Sequence, residues 1–364
     1  MTNTMKLLMD TLCVAAFLCV PPVFLQAADV VYLNAYAAKK PSLEISILNK
    51  PKETGKSDAI LITSYGEKET KVYLIDGGRA NGIALTALND LRTSILSAQG
   101  LSGKVKDKNY KLKINLLVTH CHEDHVDELY GMILSNGRFE VESLYLAEAT
   151  GLTTDGTYDN TKNTDVNQRV LLLDTLRKYH PGAKVVIVPF GTTQELQMPV
   201  GTVKLYAPCV DWGVGDPLRY IVSTYYGKSP AKQRTDVPLA VMNANSMWMK
   251  VSANGYSVLF PGDVLKKQDR DDEPFDRMLD YYGAEELRSD VVKYPHHGVS
   301  RNSAAPRLQR DLLVSPTKSF VVIGANGAPG QSGAVMTDLS MNWIDSADKK
   351  ATFVIDEKGL RHIE

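Results

Sequence analysis

Residues 114–125 read Ile114-Asn115-Leu116-Leu117-Val118-Thr119-His120-Cys121-His122-Glu123-Asp124-His125, a short apolar run that ends abruptly in ligand-type side chains. The run has the length and composition of a buried β-strand, and the polar block begins where such a strand would leave its sheet. His120, His122, Asp124 and His125 place three imidazoles and a carboxylate within six positions, although the whole chain holds only 7 histidines. Imidazole nitrogens and carboxylate oxygens suit a borderline divalent ion such as zinc. On an extended segment alternate residues turn to one side, so His120 and His122 share a face that the adjacent Asp124 and His125 cannot easily share. The spacing therefore predicts two ions side by side, a geometry that clamps a phosphoryl or carbonyl group and generates hydroxide between the ions. Cys121 points away from its histidine neighbours and reads as a structural residue.

Outward from this block the same pattern recurs. Asp76 follows the apolar run 72–75, Asp263 follows 256–260, and His296 follows 291–294. Strand ends on one edge of a layered sheet converge on a shared cleft, which predicts an α/β architecture with its site at that edge. Further strands are expected at 43–48, 59–63, 184–188, 203–207, 246–251, 319–323 and 351–355. Helices are expected at 81–97, 166–179 and 338–346; in the first, Ala84, Ala87, Leu88, Leu91 and Ile95 lay one apolar face on a sheet. Residues 149–165, rich in Thr, Asp, Asn and Gly, and 211–237, which carry Trp212, Tyr220, Tyr225 and Tyr226, read as loop insertions in a single domain over 29–364. Long loops of this kind wall binding sites or simply pack.

The chain has 364 residues, 44% of them hydrophobic and 23% charged, which excludes disordered, collagen-like and multi-spanning membrane classes. Lys+Arg number 41 against Asp+Glu 42, a net charge of -1, so nucleic acid is a possible partner that net charge does not indicate. Residues 1–28 read as a secretory signal peptide: Lys6, an apolar run over 11–25, and Gln26-Ala27-Ala28 at the cut. Pro21-Pro22 interrupts that run and leaves it short for a span, so no stable membrane span is expected after signal removal. Cys19 lacks the small preceding residue of a lipoprotein site. The expected location is secreted or periplasmic. Cys13 and Cys19 leave with the signal; Cys121 and Cys209 remain, which is no disulfide framework.

In chain order, Asp76-Gly77-Gly78, the 120–125 block, Asp263 and His296-His297 resemble the motifs of the metallo-β-lactamase superfamily. Ser57-Asp58-Ala59-Ile60-Leu61-Ile62, Asn243-Ala244-Asn245-Ser246, Phe260-Pro261-Gly262-Asp263 and Lys293-Tyr294-Pro295-His296-His297-Gly298 resemble the subgroup of the ComEC competence proteins and the pneumococcal phosphorylcholine esterase. The resemblance runs from about Leu43 to the C-terminus. It implies an αββα sandwich, two mixed sheets packed face to face with helices outside. It implies His120 and His122 as ligands of a first ion, Asp124 and His125 as ligands of a second, and Asp263 as the bridge. One of His296 and His297 completes the second site; His297 is favoured, with His296 as its outer partner or a proton donor. Asp124, His296 and His297 are thereby the catalytic candidates, and Asp76 orders the ligand loop by hydrogen bonding. Two divalent ions are implied, zinc first and manganese as the alternative.

The sequence departs from the wider family in two places. A third histidine for the first ion is usual between the hexapeptide and the bridging aspartate, and in that interval there is only His180. Beside Tyr179 and Pro181-Gly182 it reads as a capping histidine. Asn243 or Asn245 lies nearer the expected place, and an amide oxygen would weaken the first site or favour manganese. Val126-Asp127-Glu128 stands where the subgroup carries apolar-Gly-Gly; its carboxylates disfavour long polyanions, or simply begin a helix and complement its dipole. The expected activity is metal-dependent hydrolysis, of a phosphodiester ahead of a lactone or β-lactam, on a small-molecule or cell-envelope substrate. A non-catalytic binding protein that keeps the fold is the alternative from another class. Ser246 and Ser300 lack a G-x-S-x-G elbow, and residues 326–330 form a Gly-rich turn without a Walker lysine.

Overall fold

The computed structural model describes residues 30–33, 40–48, 58–148, 164–213, 215–217, 219, 240–264, 273–298, 307–315, 318–323, 342–345 and 350–363. The signal peptide expected at 1–28, most of the insertions expected at 149–165 and 211–237, Ser300 and the turn at 326–330 lie outside the described residues. In chain order the elements are β1 (Val31–Leu33), β2 (Ser42–Leu48), β3 (Ala59–Tyr65), β4 (Thr70–Ile75), α1 (Ile83–Ala98), β5 (Tyr110–Val118), α2 (Glu123–Glu128), β6 (Phe139–Ala147), α3 (Thr164–Tyr179), β7 (Lys184–Val188), β8 (Thr193–Gln197) and β9 (Thr202–Tyr206). They continue with β10 (Trp248–Ala253), β11 (Tyr256–Phe260), α4 (Pro274–Tyr282), α5 (Ala284–Leu287), β12 (Val291–Lys293), β13 (Phe320–Ile323), β14 (Asn342–Asp345), β15 (Ala351–Asp356) and β16 (Gly359–Ile363).

Two mixed sheets result. The first has the order β16-β15-β2-β3-β4-β5-β6-β7, with β1 alongside the start of β5; the second has the order β14-β13-β12-β11-β10-β9-β8. Each joins an antiparallel half to a parallel one: β4 to β7 and β11 to β14 run parallel. Side-chain alternation explains why the central strands are apolar on both faces. In β3, Ile60 and Ile62 enter the core between the sheets, while Ala59 and Leu61 enter the core under the helices. In β4, Tyr73 and Ile75 face inward while Val72 and Leu74 face α1, which contributes Ala84, Leu88 and Ile95. On the far side of the second sheet, Phe275, Met278 and Leu279 of α4 pack on Trp248, Leu259 and Val292. The protein is thus an αββα sandwich with three apolar layers.

Several local expectations need correction. Residues 342–345 form β14, parallel to β13 with Val321 opposite Trp343, where a helix was expected over 338–346. Trp343 and Ile344 are adjacent, not spaced three or four apart, and pairing on the sheet edge prevails over a weak helical pattern. β8 closes the second sheet although its largely polar residues gave no strand signal. Glu128 does not begin its helix: it ends α2, and its carboxylate accepts from the backbone N–H groups of Leu85 (2.6 Å) and Gly82 (3.1 Å). It therefore caps α1, whose own N-cap, Gly82, has no side chain to do so. Trp212 is fully buried in the core beneath the helices, which settles that aromatic as packing; Tyr220, Tyr225 and Tyr226 lie outside the described residues. No helix among the described residues is long and apolar enough to cross a membrane.

The register positions the site. Ile60 pairs antiparallel with Ile75, and Ile75 pairs parallel with Leu117, so Asp58, Asp76 and Thr119 leave the first sheet at one edge. In the second sheet Val258 and Leu259 lie parallel beside Val291 and Val292, which brings Asp263 and His296-His297 to one edge in turn. Met247 N–H donates to the carbonyl of Thr119 at 2.9 Å and joins the two edges.

Candidate metal centre

Beyond β5 the chain bends at Thr119, returns to an extended conformation at His122, and starts α2 at Glu123. Gly77 and Gly78 both donate to the carbonyl of His125 (2.6 and 3.1 Å), and Asp58 N–H donates to that of Asp124 (3.2 Å), so the candidate ligand segment is held by backbone bonds from the residues just before β3 and just after β4. Asp76 adopts a left-handed φ of 53°, as do His296 and His297 at 51° and 54°. Such a conformation in a residue with a Cβ costs about 1–2 kcal/mol, and it is concentrated here where the surrounding contacts enforce it. Gly262, φ 61°, permits the approach of the second edge: a Cβ there would meet Ser246 Cβ at 2.8 Å.

Asp76 accepts three hydrogen bonds: from Thr119 N–H (2.8 Å), from Thr119 Oγ1 (2.7 Å) and from His125 Nδ1 (2.8 Å). The Thr119 hydroxyl has spent its proton, so it accepts from His120 Nδ1 at 3.0 Å. His120 Nε2 then carries a lone pair and faces His122 Nδ1 at 3.0 Å. Two nitrogens bound to one tetrahedral zinc lie about 3.3 Å apart, so a small opening of this pair admits an ion. Burial, reinforced by the positive neighbours, depresses both rings, with His122 lowered to about 4, and leaves them neutral as ligands must be.

Asp263 lies between the remaining imidazoles. Its Oδ2 is 3.3 Å from His125 Nε2, 3.1 Å from His297 Nε2 and 3.9 Å from His296 Nε2, and Asp124 Oδ2 is 3.3 Å from His297 Nε2. These spacings match neighbouring ligands around one zinc-type ion. His125 Nε2, His297 Nε2 and Asp263 Oδ1 are buried and make no hydrogen bond, so the close approaches are charge contacts without the alignment of a bond. Orphaned donors and acceptors of this type fit a divalent cation. Burial opposes protonation of His125 and His297, but Asp263 with Asp76, and Asp263 with Asp58 and Asp124, outweigh it and hold both well above 6.5. Burial likewise opposes ionisation of Asp263 and Asp124, yet the facing histidines keep both carboxyls below their ordinary range.

All the ligand candidates from the 120–125 block, with Asp263, His296, His297 and Asp76, therefore meet in one place. His296 is the outermost, its side chain 16% exposed. The two asparagines part company. Asn245 spends its amide on Trp212 N–H (3.0 Å) and Asp211 Oδ1 (3.2 Å), whereas Asn243 Oδ1 is buried without a hydrogen bond. His180 is remote from the centre in its bonding: it follows α3, its Nε2 donates to the Leu134 carbonyl at 2.9 Å, and its Nδ1 meets Val141 N–H at 3.4 Å. Cys121 is buried in the core under the helices.

No family model matches the chain. No curated protein matches it in sequence. Among solved structures it is similar to the metallo-β-lactamase SMB-1 bound to 2-mercaptoethanesulfonate, at 16% identity and TM-score 0.32, over 74% of this chain and 86% of that one. It is similar to the MIM-2 metallo-β-lactamase at 17% identity and TM-score 0.31, over 83% and 88%, and to zinc-bound PqqB from Methylobacterium extorquens at 11% identity and TM-score 0.41, over 86% and 99%.

Two residues of the centre were not singled out as site residues from the sequence. Asp58 offers an oxygen within 4.8 Å of donors from His125, Asp263 and His297, and it contacts the buried Lys293. Both lie inside motifs quoted above. Asp58 precedes a strand instead of following one, and β3 runs antiparallel to β4; the start of β3 and the end of β4 therefore share an edge. That antiparallel pairing was the available signal.

Proposed function

We propose that the protein is a metal-dependent hydrolase with a two-ion site, acting on phosphodiesters ahead of lactones or β-lactams. The convergence of His125 Nε2 and His297 Nε2 on Asp263 Oδ2, at 3.3 and 3.1 Å in a buried centre, carries this reading. His120 and His122 would hold the first ion; Asp124, His125 and His297 would hold the second, with Asp263 shared. Bound divalent ions, zinc first or manganese, would supply polarisation of the scissile group and acidification of water.

The remaining steps belong to the chain. Asp76 fixes the ring of His125 and so the donor it presents. Asp263, at the meeting point of both edges, sets the spacing between the two halves. His296 lies 3.9 Å from Asp263 on the more open side and is placed to deliver a proton to a departing oxygen. Asn243 Oδ1, buried without a hydrogen bond, is the remaining candidate donor for the first ion. The phosphodiester preference is supported by the resemblance of the 57–62, 260–263 and 293–298 motifs to the phosphorylcholine-esterase subgroup. The leader-like residues 1–28 support a secreted or periplasmic setting and a small-molecule or cell-envelope substrate.

The test is hydrolysis of bis(p-nitrophenyl) phosphate by the chain beyond residue 28, supplied in parallel with zinc and manganese and with a chelator control. Chelator-sensitive turnover is expected. Absence of turnover in folded, metal-loaded protein overturns the phosphodiesterase reading; activity on lactones or β-lactams under the same conditions then identifies an acyl hydrolase, and inertness to both a binding protein.

A further inference from the structure

Lys293 ends β12 with its side chain only 2% exposed, and its Nζ lies 2.5 Å from Asp58 Oδ2. Asp58 is 4% exposed, and its other oxygen, Oδ1, is 3.1 Å from His297 Nδ1. A buried ion pair usually costs more in desolvation than it returns, so its presence calls for a reason other than stability. Both oxygens of Asp58 are engaged, one by a cation and one by a ring N–H. Proximity alone would make Asp58 a fourth ligand beside His125, Asp263 and His297; its commitments place it behind the ligands instead.

We propose that Lys293 and Asp58 form a positioning pair that sets the tautomer and angle of His297, so that Nε2 is presented to the ion shared with Asp124 and Asp263. The reasoning is chemical. A carboxylate only accepts, so it selects the ring form with hydrogen on Nδ1 and the lone pair on Nε2. A carboxylate free to rotate would not fix the ring plane; Lys293 pins the second oxygen. Lys293 also balances the charge of Asp58, so the ring is oriented without adding a net negative charge to a centre that already holds Asp76, Asp124 and Asp263. His297 needs this support because its backbone, at φ 54°, sits in a conformation that the local chain does not itself favour. The proposal rests on the two-ion reading.

Cobalt(II) titration of the metal-free protein, followed by visible absorption and by bound-metal stoichiometry, tests it. Wild type is expected to take up two ions. Asp58→Asn, whose amide can also donate and thus permits the wrong tautomer, is expected to weaken the second ion by roughly 10–100-fold and to leave the first unchanged. The double variant Asp58→Asn, Lys293→Met removes the buried charges together; it is expected to melt near the wild-type temperature and still to bind the second ion as weakly as Asp58→Asn. Full recovery of second-ion affinity in the double variant, or equal weakening of both ions in Asp58→Asn, overturns the positioning role in favour of charge balance or general structure. A wild type that takes up no second ion removes the two-ion reading, and this proposal with it; a wild type that takes up two, with an Asp58→Asn variant that binds both as tightly, overturns the pair alone.

Discussion

Two arms reach Asp263 from behind, and they are built differently. In one, Asp76 holds His125 across 49 residues of sequence; in the other, Asp58 holds His297 across 239. Both aspartates lie at the same edge of the first sheet, and both present an Nε2 to the same carboxylate. Their backing differs. Asp76 is supported by the neutral N–H and hydroxyl of Thr119, whereas Asp58 is supported by the ammonium of Lys293. Burial accordingly pushes the Asp76 carboxyl upward, while Lys293 and His297 outweigh burial at Asp58 and hold it low. The arms are alike in geometry and unlike in charge. The centre thereby obtains two oriented imidazoles but only one uncompensated carboxylate behind them, which limits the repulsion among its acids.

The largest expected effect comes from removing the point where the arms meet. Asp263→Ala should abolish retention of the second ion and reduce turnover by more than the roughly 10–100-fold typical of losing an outer hydrogen-bond partner. Metal analysis and turnover measured side by side check this, and near-normal turnover would end the assignment of Asp263 as the shared ligand. Asp76→Asn should weaken the second ion within that 10–100-fold range, but unlike the double variant Asp58→Asn, Lys293→Met it should also lower the melting temperature of the metal-free protein, because the Thr119 and ligand-loop bonds go with it. Equal melting of the two variants would show that the arms are more alike than their backing indicates.

The smallest effect is a pH slope. His125 and His297 are raised above 6.5 in the metal-free fold, so the stability they contribute is fully present below that pH and is lost as pH rises through their folded values. A bound ion must displace the same protons, so metal affinity should rise with pH over the same window, from 6.5 upward. Asp58, Asp124 and Asp263 are lowered and lose their contribution only in acid, which leaves this window to the histidines. Urea unfolding and metal titration across it should move in opposite directions; parallel movement would mean that the rings are already neutral. Repeating the titration in Asp76→Asn and Asp58→Asn assigns the slope to one arm or the other.

Much of this was legible in sequence because strand ends advertise themselves. Leu116-Leu117-Val118 stops at Thr119-His120, and Phe260 at Pro261-Gly262-Asp263; these boundaries pointed to the candidate ligand residues and to the edges that carry them. Three kinds of feature stayed hidden. Asp58 begins a strand, and only knowledge that β3 is antiparallel to β4 brings it to the site. Lys293 looks like an ordinary strand-terminal lysine, since the partner of its buried charge, Asp58, comes from the first sheet. Glu128 has the composition of a helix start, yet its partners are the N–H groups of Gly82 and Leu85, some forty residues earlier. Each depends on a long-range pairing that local periodicity does not encode. The edge strands β8 and β14 were obscured for the related reason that a single ladder can impose a strand on residues with little preference of their own.

The 239-residue separation of Asp58 and His297 also orders events in time. A growing chain completes His120, His122, Asp124 and His125 long before it contains Asp263, Lys293 and His297. Until the second sheet docks, Asp58 has neither its ammonium nor its imidazole, and closing so long a loop is a slow step in folding. On the two-ion reading proposed above, uptake of the second ion would therefore mark the end of assembly, because the residues proposed to complete that site arrive last.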